Sequence, residues 1–197
     1  MPFFLFGVTA ALISILSFIP YIRDIVRGKT HPERASWFIW TALGSIAFFS
    51  QMAKGATDSL WMTGAQTLGV VVIFLLALRF GTGGLTKRDV VALVFAGIGL
   101  LLWYFTNEAA IALFLVIIID GIGSLLTAIK SYEKPESETL ISWVLFGISG
   151  LFGMVSVGSF DLILLAYPFY IVVANIVIVL VIYRGKRRLS AAQKVQD

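Results

Sequence analysis

Long uninterrupted hydrophobic runs, separated by short polar connections, are the dominant pattern of this chain. A helix that crosses a bilayer needs about 20 mainly apolar residues, whereas the strands of a membrane barrel alternate between apolar and polar residues. The runs here are continuous, so they predict an all-α membrane protein with seven transmembrane helices. The predicted spans are Phe3–Ile22, Ala35–Met52, Ser59–Leu78, Val90–Phe105, Ala109–Ile129, Leu140–Val157 and Leu162–Tyr183.

Composition points to the same class of protein. Of the 197 residues 59% are hydrophobic and 13% are charged, whereas about a quarter of the residues in a soluble domain are charged. We therefore expect a multi-pass protein of the cell membrane. The first run has no basic segment before it and no small-residue cleavage site, so we expect it to be retained as a helix. The absence of cysteine excludes disulfides and thiolate metal sites.

Basic residues concentrate in alternate connections. If the N-terminus is outside, all but one of the basic residues outside the predicted spans fall on the cytoplasmic side, and Lys54 lies on the other side with Asp58, Glu108 and Asp161. This asymmetry agrees with the positive-inside rule, so we expect an outside N-terminus and a cytoplasmic C-terminus. The net charge of +4 then reflects topology and contact with anionic lipid rather than a nucleic-acid partner.

An internal repeat is indicated by rare residues that recur at one spacing. A shift of about 103 residues pairs Pro32-Glu33 with Pro135-Glu136 and Trp40 with Trp143. The same shift pairs Gly44 with Gly147, Phe49 with Phe152, Gly55 with Gly158 and Asp58 with Asp161. We expect three-helix bundles at residues 1–80 and 107–186, a linker with helix four at 81–106, and a basic cytoplasmic tail at 187–197. The linker helix gives both bundles the same orientation, so parallel repeats in a 3+1+3 arrangement are expected.

A family resemblance lies mainly in residues 17–40. Ser17-Phe-Ile-Pro20-Tyr21-Ile22 precedes a basic loop, Arg27-Gly-Lys29-Thr30, and then Ala35-Ser36-Trp37-Phe38. Together with the 3+1+3 plan, this order resembles the PQ-loop superfamily, which includes the SWEET sugar transporters and the cystinosin-type lysosomal exporters. Tyr21 stands where that family has its signature glutamine, and the second half has Gly123-Ser124 in place of Pro-Gln.

The resemblance implies a substrate site near the membrane midplane, between the two bundles. Helices one and five carry proline hinges in that family, which implies a hinge at Pro20, with Gly123 at the matching position of helix five. The family also has pocket amides on its third and seventh helices, and Gln66 and Asn175 are the candidates here. These two residues do not pair under the repeat offset.

Asp120 is the strongest candidate for chemistry, because it lies well inside the fifth apolar run. A charged side chain at that depth costs about 2.5 kcal/mol or more, so it is expected to be protonated, paired or in contact with water. Helical spacing places Gly123, Ser124 and Thr127 on its face. Our hypothesis is that Asp120 binds substrate and couples transport to a proton. A structural hydrogen bond from a neutral carboxyl is the alternative.

Further polar and aromatic residues complete the predicted site. Ser17, Tyr21, Tyr170 and Asn175 are expected to line one polar cavity with Gln66, Asp120 and Ser124, and Pro168 provides a bend in helix seven. Ordinary interhelical hydrogen bonding is the alternative for each residue. Trp40 and Trp143 either flank a cytoplasmic gate or belong, with Trp37 and Trp61, to an interfacial aromatic belt.

These features favour a transporter that moves a small polar solute by alternating access. A sugar, an amino acid or a vitamin-like solute would suit such a cavity, and the substrate and membrane lipid are the expected partners. A non-transporting receptor or scaffold, and a passive channel, are the alternatives. No catalytic cluster, metal site or cofactor is expected. Enzyme function is therefore not predicted.

Overall fold

The structure is a computed structural model that describes residues 2–53, 58–106 and 109–196. Within these ranges the chain forms seven α-helices, the number predicted from the hydrophobic runs, and one 3-10 turn at Pro135–Ser137. The helices are α1 Pro2–Val26, α2 Arg34–Ala53, α3 Asp58–Phe80, α4 Lys87–Phe105, α5 Ala109–Glu133, α6 Leu140–Ser156 and α7 Leu162–Gln196. The repeat pair at Gly55 and the charges of Lys54 and Glu108 lie outside the described residues, as do the side chains of Asp58 and Trp61.

Four of the described helices are long and apolar enough to cross a membrane. These segments are Phe3–Val26, Lys87–Phe105, Leu113–Glu133 and Leu162–Ala191, and shorter apolar helices occur at Gly64–Phe80 and Leu140–Ser156. Large apolar side chains such as Phe4, Leu101 and Leu164 are more than half exposed around the outside of the bundle. An apolar exterior of this extent is unfavourable in water. It is compatible with a location in a membrane.

Local signals explain where several helices begin and end. The Thr86 hydroxyl accepts a hydrogen bond from the Asp89 amide, and the Asp89 carboxylate accepts one from the Thr86 amide. This capping box satisfies amides that a helix start leaves without partners, so α4 begins at Lys87. Gly28 and Gly158 follow α1 and α6 with φ of 69° at each. Glycine adopts this left-handed conformation without a steric penalty, so it ends a helix readily.

Helix α7 continues beyond the predicted span, through the segment expected to be a separate tail, to Gln196. The tail is rich in Lys, Arg, Ala and Gln, which have high helix propensity. Arg188 also anchors this part of the helix, because its guanidinium lies 4.5 Å from the centre of the Tyr132 ring on α5. The boundary expected at residue 187 is therefore not a change in secondary structure.

Helix packing follows a simple order. Helix α3 packs against both α1 and α2, and α7 packs against both α5 and α6. The two sets meet where α1 contacts α6 and where α2 contacts α5, while α4 lies against α5 and α2. The core therefore lies between α1, α2, α5 and α6, with α3 and α7 closing its sides.

Three connections meet at one end of the bundle, which we call the basic end: residues 27–33, 81–86 and 134–139. The His31 amide donates to the Ser137 carbonyl at 3.0 Å, and the Thr82 amide donates to the Pro32 carbonyl at 2.8 Å. Arg34 also donates to the carbonyls of Ala77 and Gly83, both at 2.9 Å. These bonds tie the ends of α1, α3 and α5 together.

Candidate substrate cavity

A cavity of about 750 Å³ lies at the centre of the bundle. Residues of α1, α2, α3, α5, α6 and α7 line it, and none of its described lining residues comes from α4. The polar lining residues are Ser14, Gln66, Thr67, Asp120, Ser124, Ser149 and Asn175. The aromatic ones are Phe18, Trp37, Trp40, Trp143, Phe146 and Tyr167.

Asp120 is 8% exposed and accepts hydrogen bonds from two neighbouring helices. On α2, the Trp40 indole donates to Oδ1 at 3.0 Å. On α7, the Tyr170 hydroxyl donates to Oδ1 at 2.9 Å and the Tyr167 hydroxyl donates to Oδ2 at 3.2 Å. One turn along α5, the Ser124 hydroxyl lies 3.0 Å from the Tyr170 hydroxyl. Asp120, Ser124 and Tyr170, all predicted site residues, therefore form one hydrogen-bonded group.

Neutral donors hold Asp120, not a cation. None of the ion pairs among the described residues includes Asp120, and the described cavity lining contains no Lys, Arg or His. A carboxylate has about four acceptor positions. Trp40, Tyr167 and Tyr170 occupy three of them, and the Ser124 hydroxyl also lies close to the carboxyl. Asp120 therefore has at most about one acceptor position for a ligand in the cavity.

The predicted amides Gln66 and Asn175 also line the cavity. The Gln66 side chain donates to the Ser14 hydroxyl at 3.1 Å. The Asn175 amide nitrogen donates to the Ile171 carbonyl at 2.8 Å, one turn earlier in α7. Its Oδ1 atom is buried and has no partner among the described residues. Asn175 therefore lines the cavity with other atoms, and its unpartnered oxygen is enclosed by protein.

Ser17, Tyr21 and Tyr170 are not among the residues that line the cavity, contrary to expectation. Ser17 and Tyr21 are fully buried, although their spacing places them on the same side of α1 as the lining residue Ser14. Tyr21 lies seven residues nearer the basic end than Ser14, or about 10.5 Å along the helix axis. The Ser17 hydroxyl donates to the Ile13 carbonyl within α1 at 2.7 Å. Tyr21 lies in the core, where its hydroxyl donates to Glu138 at 3.1 Å.

The three expected flexing positions occupy different environments. Gly123 allows α2 and α5 to approach closely, because a Cβ atom there would lie 3.0 Å from the Trp40 indole nitrogen. The Ser36 hydroxyl donates to the Gly123 carbonyl at 2.7 Å, which fixes that approach. Pro20 lies inside α1 and Pro168 lies inside α7, and Pro168 lines the cavity. Their role as hinges stays a prediction.

Trp40 and Trp143 lie together at the cavity wall with Trp37. The ring centres of Trp37 and Trp40 are 5.0 Å apart, and those of Trp40 and Trp143 are 6.1 Å apart. Trp37 and Trp143 are only 2% and 4% exposed. The belt interpretation is therefore wrong for Trp37 and Trp143, because a residue of an interfacial belt faces the lipid headgroups. The gate interpretation stays a prediction.

A buried ion pair beneath this aromatic cluster was not predicted. Lys130 and Glu138 have side chains that are 3% and 0% exposed, and Nζ lies 2.6 Å from Oε1. Glu138 also accepts from the Tyr21 hydroxyl at 3.1 Å and from the Trp143 indole at 2.8 Å. The Lys130 ammonium donates further to the Ser137 carbonyl at 2.9 Å. This network joins α1, α5 and α6 at the basic end.

Comparison of the chain with protein-family models, curated proteins and solved structures finds no match.

Proposed function

We propose that this protein is a membrane transporter that moves a small solute by alternating access between two three-helix bundles. The central cavity carries the proposal. Its volume of about 750 Å³ falls within the roughly 300–1,000 Å³ of small-molecule sites. Three helices from each proposed bundle line it, and the proposed linker helix α4 does not. A solute at this position would touch both bundles, as rocking about a central site requires.

Helix packing supports a duplicated arrangement. If α1, α2 and α3 are exchanged for α5, α6 and α7, the α1–α6 contact becomes the α5–α2 contact. Helix α3, which packs against α1 and α2, then takes the place of α7, which packs against α5 and α6. This exchange is what a two-fold relation between parallel bundles requires.

The proposed repeat fits a shift of 106 residues at α2 and α6 better than the shift of 103 expected from the sequence. It pairs Ser36-Trp37 with Ser142-Trp143 and Gly44 with Gly150. Ser36 and Ser142 are both fully buried, and α2 and α6 begin 106 residues apart at Arg34 and Leu140. The two shifts differ by three residues, or about one helical turn.

The state of the cavity favours transport over the two alternatives. A non-transporting receptor or scaffold predicts side chains that fill the space between the bundles, and the cavity opposes that reading. A passive channel predicts a continuous path between the bundles. The network of Lys130, Glu138, Tyr21 and Trp143 opposes that alternative, because it joins the bundles at the basic end. In the proposed mechanism this end faces the cytoplasm, and the network separates when the site opens there.

Solute counterflow tests the proposal. Ligand-dependent thermal shifts of the purified protein across a metabolite panel first identify a solute. Proteoliposomes loaded with unlabelled solute should then accumulate the labelled form transiently, because a carrier exchanges one molecule for another. Flux that does not saturate and ignores unlabelled solute would contradict a carrier and favour a channel. No counterflow of a solute that binds would contradict transport.

Proton coupling through Asp120 has a separate test. Asp120→Asn retains an acceptor for the donors on α2 and α7 but cannot carry a proton in exchange. We expect solute flux in this variant to lose its dependence on a pH gradient. Asp161→Asn is the matched control, because Asp161 is exposed at the start of α7 and caps the amides of Ile163 and Leu164. Unchanged pH-dependent flux in Asp120→Asn would exclude coupling at this residue.

A further inference from the structure

Charge is unevenly distributed in the cavity wall. Asp120 is the one carboxylic acid among the described lining residues, and that lining includes no basic residue. An anionic solute would therefore meet a like charge and no counter-charge. A cationic solute would meet an opposite charge in a site of low polarity, where electrostatic attraction is stronger than in water.

The polar group that faces the cavity is an acceptor. The Asp120 carboxylate has about one acceptor position beyond its donors Trp40, Tyr167 and Tyr170. An ammonium group has three donors and no acceptor, so its chemistry complements this carboxylate. The Oδ1 atom of Asn175 also has no partner among the described residues, but it is enclosed by protein and does not face the cavity.

The hydroxyl and amide donors of the wall are largely committed to the protein itself. Thr67 donates to the Gly44 carbonyl at 3.1 Å, and Ser149 donates to the Ala10 carbonyl at 2.7 Å. Gln66 donates to Ser14. A sugar needs many donors and acceptors from its site, so few unoccupied donors remain for it here.

The rest of the wall is apolar or aromatic. Trp40 directs the N–H edge of its indole at Asp120, and because this edge is the positive part of the ring, Trp40 holds the carboxylate and does not itself attract the ammonium. The rings of Trp143 and Phe146 extend the wall, with centres 6.1 Å apart. Aromatic rings attract organic cations through their negative faces and provide an apolar surface for the remainder of the molecule.

We propose that the cavity binds a small organic cation, with its ammonium group at Asp120 and its apolar body against the tryptophans. This inference rests on the proposed function, because it names the substrate class of the same cavity. It replaces the sugar, amino acid or vitamin-like solute expected from the sequence with a small organic amine. A proton and the amine would neutralise the same carboxylate, so they compete for it.

Few other groups bear on that competition. The titratable residues that contact Asp120 are Tyr167 and Tyr170 on α7, and Trp40 and Ser124 are neutral. Helix α4 packs on another side of α5 through apolar residues such as Ala96, which lies against Ile119. Asp120 is thus the group whose charge the ligand would compensate.

Three matched probes test the inference: 2-phenylethylamine, 2-phenylethanol and phenylacetate. They share a phenyl ring and a short chain and differ in their charge. Isothermal titration of the full chain in nanodiscs, with empty nanodiscs subtracted, should give affinity at least about tenfold higher for the amine than for the alcohol. Phenylacetate should bind weakest. Acidification should weaken amine binding by up to about tenfold per pH unit without affecting the alcohol.

Two variants attribute the preference to the carboxylate. Asp120→Asn should reduce the difference between amine and alcohol to within about twofold, and Asp120→Glu should retain a preference for the amine. The exposed control Asp161→Asn should bind all three probes like the wild type. Equal binding of amine and alcohol by the wild type, or a preference that survives Asp120→Asn, would overturn the inference. The pH dependence of the wild type tests the same point if Asp120→Asn does not fold.

Binding and flux separate this inference from the transporter proposal. Amine binding that depends on Asp120, without counterflow of labelled amine, would support the cation site and overturn transport. Counterflow of a neutral sugar by a protein that does not prefer the amine would support transport and overturn the cation site.

Discussion

Replacing Lys130 with methionine should lower the free energy of unfolding by about 3–5 kcal/mol, because it leaves a buried carboxylate without its cation. The ammonium and carboxylate are 2.6 Å apart, and both side chains are at most 3% exposed. Water therefore cannot replace the lost partner. Tyr21 and Trp143 would still donate to Glu138, so we expect a loss near 3 kcal/mol, the lower part of this range.

A second ion pair in the same chain provides the matched control. Arg88 and Glu133 form two hydrogen bonds of 2.7 and 3.0 Å, but their side chains are 38% and 47% exposed. Glu133→Gln should therefore cost only about 0.2–1 kcal/mol, as the loss of an exposed pair does, and it leaves Arg88 in place 3.8 Å from the buried Asp89 carboxylate. If the donor–acceptor distances alone determined how much an ion pair contributes to stability, the two substitutions would have similar effects.

The assay is reversible unfolding in mixed micelles, followed by tryptophan fluorescence, in a double-mutant cycle. Lys130→Met combined with Glu138→Leu removes both charges, so the double variant should be less destabilised than the sum of the single variants. Additive effects, or a Lys130→Met loss no larger than that of Glu133→Gln, would refute the view that burial makes this pair important.

Two further substitutions test other parts of the structure. Gly69→Ala should destabilise the protein by about 1–3 kcal/mol, because a Cβ atom at Gly69 would lie 2.6 Å from the Phe18 ring. If the variant unfolded at the same temperature as the wild type, this close approach would be refuted. Burial raises the pKa of Glu33 from 4.5 to about 7, although the Ala35 amide opposes the shift. The folded state then holds a proton that the unfolded state loses, so the stabilisation is complete below pH 4.5 and lost as pH rises through about 7. Relative to wild type, Glu33→Gln should reduce the change in unfolding free energy across this pH window by about 2–4 kcal/mol. If chemical unfolding gave the same dependence of stability on pH for both proteins, a buried neutral carboxyl at Glu33 would be contradicted.

The sequence was sufficient to predict the helices and the central acid for a common physical reason. Continuous apolar runs of helical length have few alternative explanations, and a carboxyl inside one of them requires partners. Asp120 and Ser124 were therefore predictable from position and helical spacing. Their donors were harder to predict, because Trp40 comes from α2 and Tyr170 from α7. Those contacts depend on how the helices pack.

The depth at which α1 meets the cavity could not be predicted. Ser14, Ser17 and Tyr21 lie on one side of the helix by their spacing, so all three were plausible lining residues. Packing against α6 and α3 places Ser14 at the cavity and buries Ser17 and Tyr21 nearer the basic end. Spacing within one helix does not indicate where a cavity between several helices ends.

The buried pair was missed because both partners looked like topology signals. Lys130 lies at the end of an apolar run, and Glu138 lies in a charged connection. They meet because the connection folds back through the 3-10 turn at Pro135–Ser137, whose Ser137 carbonyl also accepts from Lys130. The sequence alone does not show that this connection folds back toward α5.

Thiol accessibility tests alternating access at the central cavity most directly, because the chain contains no cysteine. Ala174→Cys places one thiol at the cavity wall, and Leu12→Cys places one on the apolar exterior, where Leu12 is 56% exposed. With a membrane-impermeant maleimide applied separately to each side of oriented vesicles, the Ala174→Cys thiol should react from both sides, and bound ligand should change the ratio of the two rates. The Leu12→Cys thiol should not react from either side. Protection of the Ala174→Cys thiol from one side under all conditions would contradict alternating access.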